Sequence, residues 1–174
     1  KRLPSCFLTR QAGSPAQSGT LTAASWLAVT HNTPLITGDT VNKTFRAMQI
    51  SSPGVLEMVV RPLPEPGPED VLIKIEVCGV CGADLQDAEK VPEAGQPGRI
   101  PGHEIVGHIT RKGDAVPGIW HTGQRVGVGR LGGYCQHCPP CRNGLFHLCE
   151  NQLTPGLSCD GGYAEYVVIR HTAL

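Results

Sequence analysis

The feature that most limits how this chain can fold is a run of four cysteines, Cys135, Cys138, Cys141 and Cys149, in the segment CQHCPPCRNGLFHLC. Their spacing is C-x2-C-x2-C-x7-C. Two intervening residues let neighbouring thiolates point at one tetrahedral centre about 2.3 Å away. The surrounding segment, Gly132 to Asn151, shows no apolar periodicity, and a loop of that length needs something other than a core to hold it. Metal ligation supplies that folding energy. The chain has eight cysteines in all, which could signal disulfides, but the C-x2-C clustering reads as metal ligation in a reducing compartment. Four thiolates leave no open coordination position, so the spacing predicts a structural zinc rather than a catalytic one. A ferredoxin-type iron–sulfur run has a shorter last gap and a proline after the fourth cysteine; neither is present here. His137 and His147 lie inside the loop and are expected to be solvated, because the thiolates already complete the shell.

The rest of the chain reads as short strands. It has 22 glycines and 15 prolines against few aromatics, a balance that suits strands joined by tight turns rather than a helical bundle. Strands are expected at Ala47–Ile50 and Val55–Arg61 around a Ser51–Gly54 turn, at Val71–Val77, Glu104–Thr110, within Gly123–Gly129, and at Gly161–Ile169. A proline-rich connection, PLPEPGP, follows the second, and a short helix is expected within Gly79–Gln86. This pattern predicts an all-β barrel or sandwich. Residues 1–46 are Ser-, Thr-, Ala- and Gln-rich with one acid, Asp39, and read as a poorly ordered extension, with an organelle transit peptide as the sharper alternative. A start at Met48 is also compatible with the change of pattern. A formal net charge of zero gives no reason to expect nucleic acid or an anionic membrane surface as partner. No apolar run approaches the roughly 20 residues that span a bilayer, and no stretch reads as a secretory signal. The expected location is cytoplasmic, or organellar if the extension is a transit peptide.

Two further segments carry candidate ligands: CGVCGADL at Cys78–Leu85 and PGHE at Pro101–Glu104. Alone, the first could be a redox cysteine pair, Cys78 with Cys81, and the second a hydrogen-bonded loop histidine. Taken in order, however, Gly79–Asp84 (GVCGAD), Pro101–Glu104 (PGHE), Gly123–Val128 (GQRVGV), the cysteine lobe and Gly161–Tyr166 (GGYAEY) resemble the catalytic domain of the zinc-dependent medium-chain alcohol dehydrogenases. The resemblance covers about residues 47–174. It implies a mainly β fold, a GroES-like, partly open barrel with short helices and a zinc-binding lobe. It implies a catalytic zinc with Cys81 and His103 as ligands, Glu104 as a carboxylate able to approach the metal, and Asp84 as the partner that orients the His103 ring. It also implies a small-molecule alcohol or aldehyde as substrate, NAD or NADP as coenzyme, and a homo-oligomeric full-length protein.

Three features depart from the family pattern. Ala83 and Gln86 stand where members with a proton relay carry Ser or Thr and often His. The third protein ligand of the catalytic zinc is expected beyond Leu174. No G-x-G-x-x-G follows a strand and opens a helix, so the nucleotide-binding Rossmann half is expected to be absent and the isolated chain inactive. The alternative to a truncated catalytic domain is a non-enzymatic zinc-stabilised fragment or binding module. Among the remaining residues, Cys78 is expected to be a small buried strand-end residue, Cys159 a free loop thiol, and His108 a packing residue. Asp84 could also cap the helix.

Overall fold

The structure is a computed structural model that describes residues 43–90 and 98–174. The expected poorly ordered extension lies outside these residues up to position 42. Two hairpin strands come first, β1 (Thr44–Ser52) and β2 (Val55–Pro62). They pair antiparallel with Met48 opposite Met58. The strand therefore starts ahead of Ala47, and Phe45 is already buried core. The hairpin's inner residues Phe45 and Ala47 pack with Ile100, and Val59, Leu63, Tyr163, Ala164 and Tyr166 close around them. Phe45 and Tyr166 meet edge to face at 6.4 Å.

The second sheet has the order β5-β4-β3-β6, with β3 at Asp70–Cys78, β4 at Ile105–Lys112, β5 at Arg125–Val128 and β6 at Tyr166–Arg170. Every neighbouring pair is antiparallel. One face buries Val71, Ile73, Ile105, Ile109, Val126, Val128, Val167 and Ile169 in a single cluster that Val116 joins from the loop after β4. In β4, β5 and β6 this follows simple alternation, as a strand with one buried face requires. In β3, Val71, Ile73 and part of Ile75 alternate into the same cluster, so the alternation expected for Val71–Val77 holds through Ile75. Leu72 is also buried, outside that cluster, and Val77, beyond the register shift at Ile75/Val77, is 56 % exposed.

The two sheets do not close into one continuous ladder among the described residues. The isolated Ala47–Ala164 bridge links them, giving a mainly β, open architecture. Short helices punctuate it: α1 (Gly82–Ala88) directly after β3, and α2 (Pro139–Arg142) in the cysteine lobe, whose proline in the first turn suits an N-terminus lacking a partner for its N–H groups. No helix among the described residues is long and apolar enough to cross a membrane.

Replacing Ile73 by Ala should cost about 2–5 kcal/mol of stability through lost burial and the cavity left behind. Val60→Ala, at a side chain 67 % exposed, should stay within about 0.5 kcal/mol. Urea denaturation of the two variants checks the contrast.

Candidate metal centres

In the lobe, the sulfurs of Cys135, Cys138, Cys141 and Cys149 all lie within 4.8 Å of one another. Cys138 and Cys149 Sγ are 3.9 Å apart, close to the roughly 3.8 Å edge of a thiolate tetrahedron of radius about 2.3 Å. Cys138, Cys141 and Cys149 are buried, although the lobe has little apolar core beyond the Tyr134–Phe146 stack at 4.2 Å. Backbone N–H groups of Cys135 and Asn151 each donate to Cys149 Sγ at 3.3 Å. Burial pushes the Cys135 thiol up, but hydrogen bonds from Asn151, Cys138 and His137 outweigh it and bring its pKa down to about 5. Cys141 is driven the other way, to about 12, by burial and by its sulfur neighbours. One thiolate thus suppresses ionisation of the next, a conflict that a divalent cation at the centre removes. His137 and His147 are exposed, as expected of solvated loop residues.

The second centre is assembled from three separate segments. Cys81 lies at the start of α1, where its backbone N–H donates to Asp84 Oδ2 at 2.8 Å. Asp84 is therefore not the N-cap itself. It occupies the third helical position and reaches back to the Cys81 N–H. His103 Nε2 sits 3.3 Å from Cys81 Sγ, against about 3.5 Å between sulfur and nitrogen ligands of one tetrahedral zinc. Glu104 brings its carboxylate into the same group, all within 4.8 Å. His103 and Asp84 are buried, Cys81 is partly buried and Glu104 is exposed, so the centre opens to solvent on the Glu104 side. Gly79 makes room for that carboxylate, because a Cβ there would stand 2.2 Å from Glu104 Oε2. The far ring nitrogen of His103, Nδ1, faces Asp84 Oδ1 at 3.3 Å, within ion-pair range but outside hydrogen-bond orientation. The donor set, one thiolate, one imidazole and one carboxylate, fits zinc with a coordination position left over.

Sequence reasoning missed the polar frame around this centre. Asp87, on the same helix, is buried and bonded to Lys90 at 2.8 Å and Arg130 at 3.0 Å. Burial pushes its carboxyl up, yet these two cations hold it below the ordinary carboxylate value. Arg130 Nη1 also comes within 3.4 Å of His103 Nδ1. Asp160 accepts from the Ile100 backbone N–H at 3.1 Å and from Arg61 at 2.8 Å, bracing the loop that leads to His103. Apart from the i,i+3 pair of Asp87 with Lys90, these partners are remote in sequence and leave no spacing signal. His108 is not packed, contrary to expectation. It is 40 % exposed and faces Glu76 at 3.2 Å, because β4 turns that side to solvent. Cys78 ends β3 half-buried, and burial pushes its thiol up, which disfavours the thiolate a redox pair needs. Cys159 is a free, partly buried loop thiol, raised by burial to about 11. A hollow of about 230 Å³ beside Met48, Met58 and Tyr163 contains none of the ligand residues.

An open antiparallel sheet with a four-cysteine lobe and a Cys–His–Glu centre defines the zinc-dependent dehydrogenase type of catalytic domain. Residues 67–174 match the alcohol dehydrogenase GroES-like domain, and the chain belongs to that family. The alcohol dehydrogenase patD of Aspergillus clavatus is 39% identical over 137 residues, which cover 78% of this chain and 35% of that protein. A thermostable alcohol dehydrogenase from Pyrobaculum aerophilum, solved with cobalt and zinc bound, superposes with TM-score 0.65 at 34% identity, covering 73% of this chain and 39% of its own. A dehydrogenase from Sinorhizobium meliloti bound to NADP gives TM-score 0.64 at 34% identity, over 75% of this chain and 37% of its own. The chain thus spans a little over a third of the length of these relatives.

Cys138→Ser should lower bound metal by one ion per chain and open the lobe to proteolysis between Pro139 and Leu148, with the β3–β4 core intact. Metal analysis and limited digestion check both outcomes.

Proposed function

We propose that this domain supplies the zinc-bearing catalytic half of a dehydrogenase that moves a hydride between a small-molecule alcohol or aldehyde and NAD or NADP. The observation that carries the reading is the convergence of Cys81 Sγ, His103 Nε2 and the Glu104 carboxylate on one solvent-open point. Cys81 and His103 are the protein ligands of the catalytic zinc. Glu104 is a carboxylate within reach of it, and Asp84 holds the His103 ring. Cys135, Cys138, Cys141 and Cys149 hold the second, structural zinc. A zinc with an open position supplies Lewis-acid polarisation of an alcohol or carbonyl oxygen.

The chain's own residues set the rest. Buried Asp84 lies 3.3 Å from Nδ1 and keeps the imidazole turned so that Nε2 faces Cys81. In the oxidative direction the substrate loses a hydride from its carbinol carbon to the nicotinamide ring and a proton to solvent. Ala83 has no hydroxyl to receive that proton, and exposed Gln86 cannot act as a base, so water on the open Glu104 side carries it. The relatives' greater length is consistent with a nicotinamide site outside these 174 residues, in a full-length homo-oligomeric enzyme. Neutral net charge and a lobe of free thiols suit a reducing, cytoplasmic setting.

The test is Cys81→Ser in the full-length protein. Alcohol oxidation should fall by at least about 100-fold, with one metal lost per chain and the lobe metal retained. Undiminished turnover in the variant or in metal-free enzyme would overturn the reading.

A further inference from the structure

His103 stands in a stretch without regular secondary structure, residues 98–104, just ahead of Ile105, the first residue of β4. Two side chains from elsewhere in the chain grip the leading end of this stretch. Asp160 divides its oxygens between two donors: Oδ1 accepts from the Ile100 backbone N–H at 3.1 Å and Oδ2 from Arg61 Nη1 at 2.8 Å. The next residue, Gly161, donates its N–H to Ile100 O at 2.7 Å. Both polar groups of Ile100 are thus held by consecutive residues. Arg61, on β2, directs the rest of its guanidinium to the same place. Its Nη2 donates to Gly98 O at 2.6 Å, and Nη2 and Nε donate to Gln49 Oε1 on β1 at 2.6 and 3.2 Å. Arg99 comes no nearer than 4.0 Å to Asp160 Oδ1. The Asp160 side chain is 40 % exposed, and an ion pair this open contributes little stability by charge alone. What it fixes is geometry.

We propose that Asp160 and Arg61 are positioning residues of the Cys81–His103 centre, acting as one clamp on Ile100 that fixes where the His103 ring stands. The inference rests on the metal-centre reading above. Pro101 and Gly102 alone separate the clamp from His103. Pro101 is buried, and its ring fixes its φ. Gly102 is held through its carbonyl, which accepts from Gly162 N–H at 2.9 Å. A displacement of Ile100 therefore reaches His103 with little slack to absorb it. On the far side, Ile105 is paired with both Cys78 and Val128. His103 is thus suspended between a sheet ladder and the clamp. Cys81 is carried by α1, to which neither Asp160 nor Arg61 is hydrogen-bonded among the described residues. Losing the clamp moves one ligand relative to the other, and a metal site works only within about 0.5 Å of its productive geometry. The residue types fit the task. A carboxylate offers one oxygen to each of two donors, which a single amide oxygen cannot do. A guanidinium fork reaches three partners in fixed directions.

Asp160→Asn keeps the shape but leaves one oxygen for two donors. Arg61→Gln removes the fork and leaves Asp160 in place, so it decides the matter by itself if the first variant does not fold. Zinc affinity of the full chain is measured by chelator competition, together with the ligand-field bands of the cobalt-loaded chain. Each variant should hold zinc at the Cys81–His103 centre about 10-fold more weakly, with shifted cobalt bands and an unchanged lobe metal. The double variant should lose no more than the weaker single one, because two parts of one clamp do not add. Wild-type affinity with unmoved bands in a folded variant would overturn the inference. Equal weakening of the lobe metal, or losses that multiply in the double variant, would do the same. A wild-type chain that holds metal only in the lobe would overturn the metal-centre reading itself and this inference with it.

Discussion

The candidate catalytic centre depends on one short contact between two loops, Ile100–Glu104 and Gly161–Tyr163. Gly161 N–H donates to Ile100 O at 2.7 Å, Gly162 N–H to Gly102 O at 2.9 Å and Tyr163 N–H to Pro101 O at 2.9 Å. From the other side, Gly79 N–H donates to Glu104 O at 2.9 Å. This ladder brings three sequence-remote motifs to one place: the cysteine turn, the histidine loop and the glycine-led approach to β6. It works only because the backbones come closer than side chains permit. A Cβ at Gly161 would stand 2.2 Å from Gly102 O. The glycines of these motifs are therefore spacing elements for the Cys81–His103–Glu104 group, and their value is read from the gap they leave.

The two centres solve the same electrostatic problem by different means. The lobe concentrates four thiols in one stretch of chain, so their convergence follows from local turns. A divalent cation there would relieve the conflict between neighbouring thiolates and would couple its binding to folding of the loop. The Cys–His–Glu centre has fewer ligands and takes its geometry from a packed core behind it. One group is closed among buried sulfurs, whereas the other is open on the exposed Glu104 side.

Much of this was legible in the amino-acid sequence. The cysteine spacing alone pointed to the lobe, and alternation placed β4 and the inner face of the closing strand. Cys81, His103, Asp84 and Glu104 came from motifs in register, and they meet in space. What was not legible depends on pairings that no local pattern encodes. In β3, Leu72 is buried although the alternation points it away from the cluster that holds Val71 and Ile73. His108 sits among apolar neighbours in sequence but on the solvent side of the sheet. Asp84 was open to a second reading as a helix cap, yet the cap position belongs to Cys81 and Asp84 sits at the third helical position. Arg130 and Tyr163 acquire meaning only from neighbours tens of residues away.

Asp84 and Asp87 show how the fold assigns charge. Both are buried carboxylates on α1, which begins at Gly82 and is short enough that both face the same interior. A buried carboxylate without a counter-charge is costly. Asp87 is neutralised by Lys90 and Arg130 and so contributes to structure alone. Asp84 has no lysine or arginine within ion-pair range among the described residues; it faces the His103 imidazole. Its contacts are the Cys81 backbone N–H at 2.8 Å and the His103 ring at 3.3 Å. Exchanging the environments of the two residues would leave His103 without an orienting acceptor. The helix therefore does two separate things with the same chemical group: one carboxylate closes a salt bridge, and the other stays available to position a ligand.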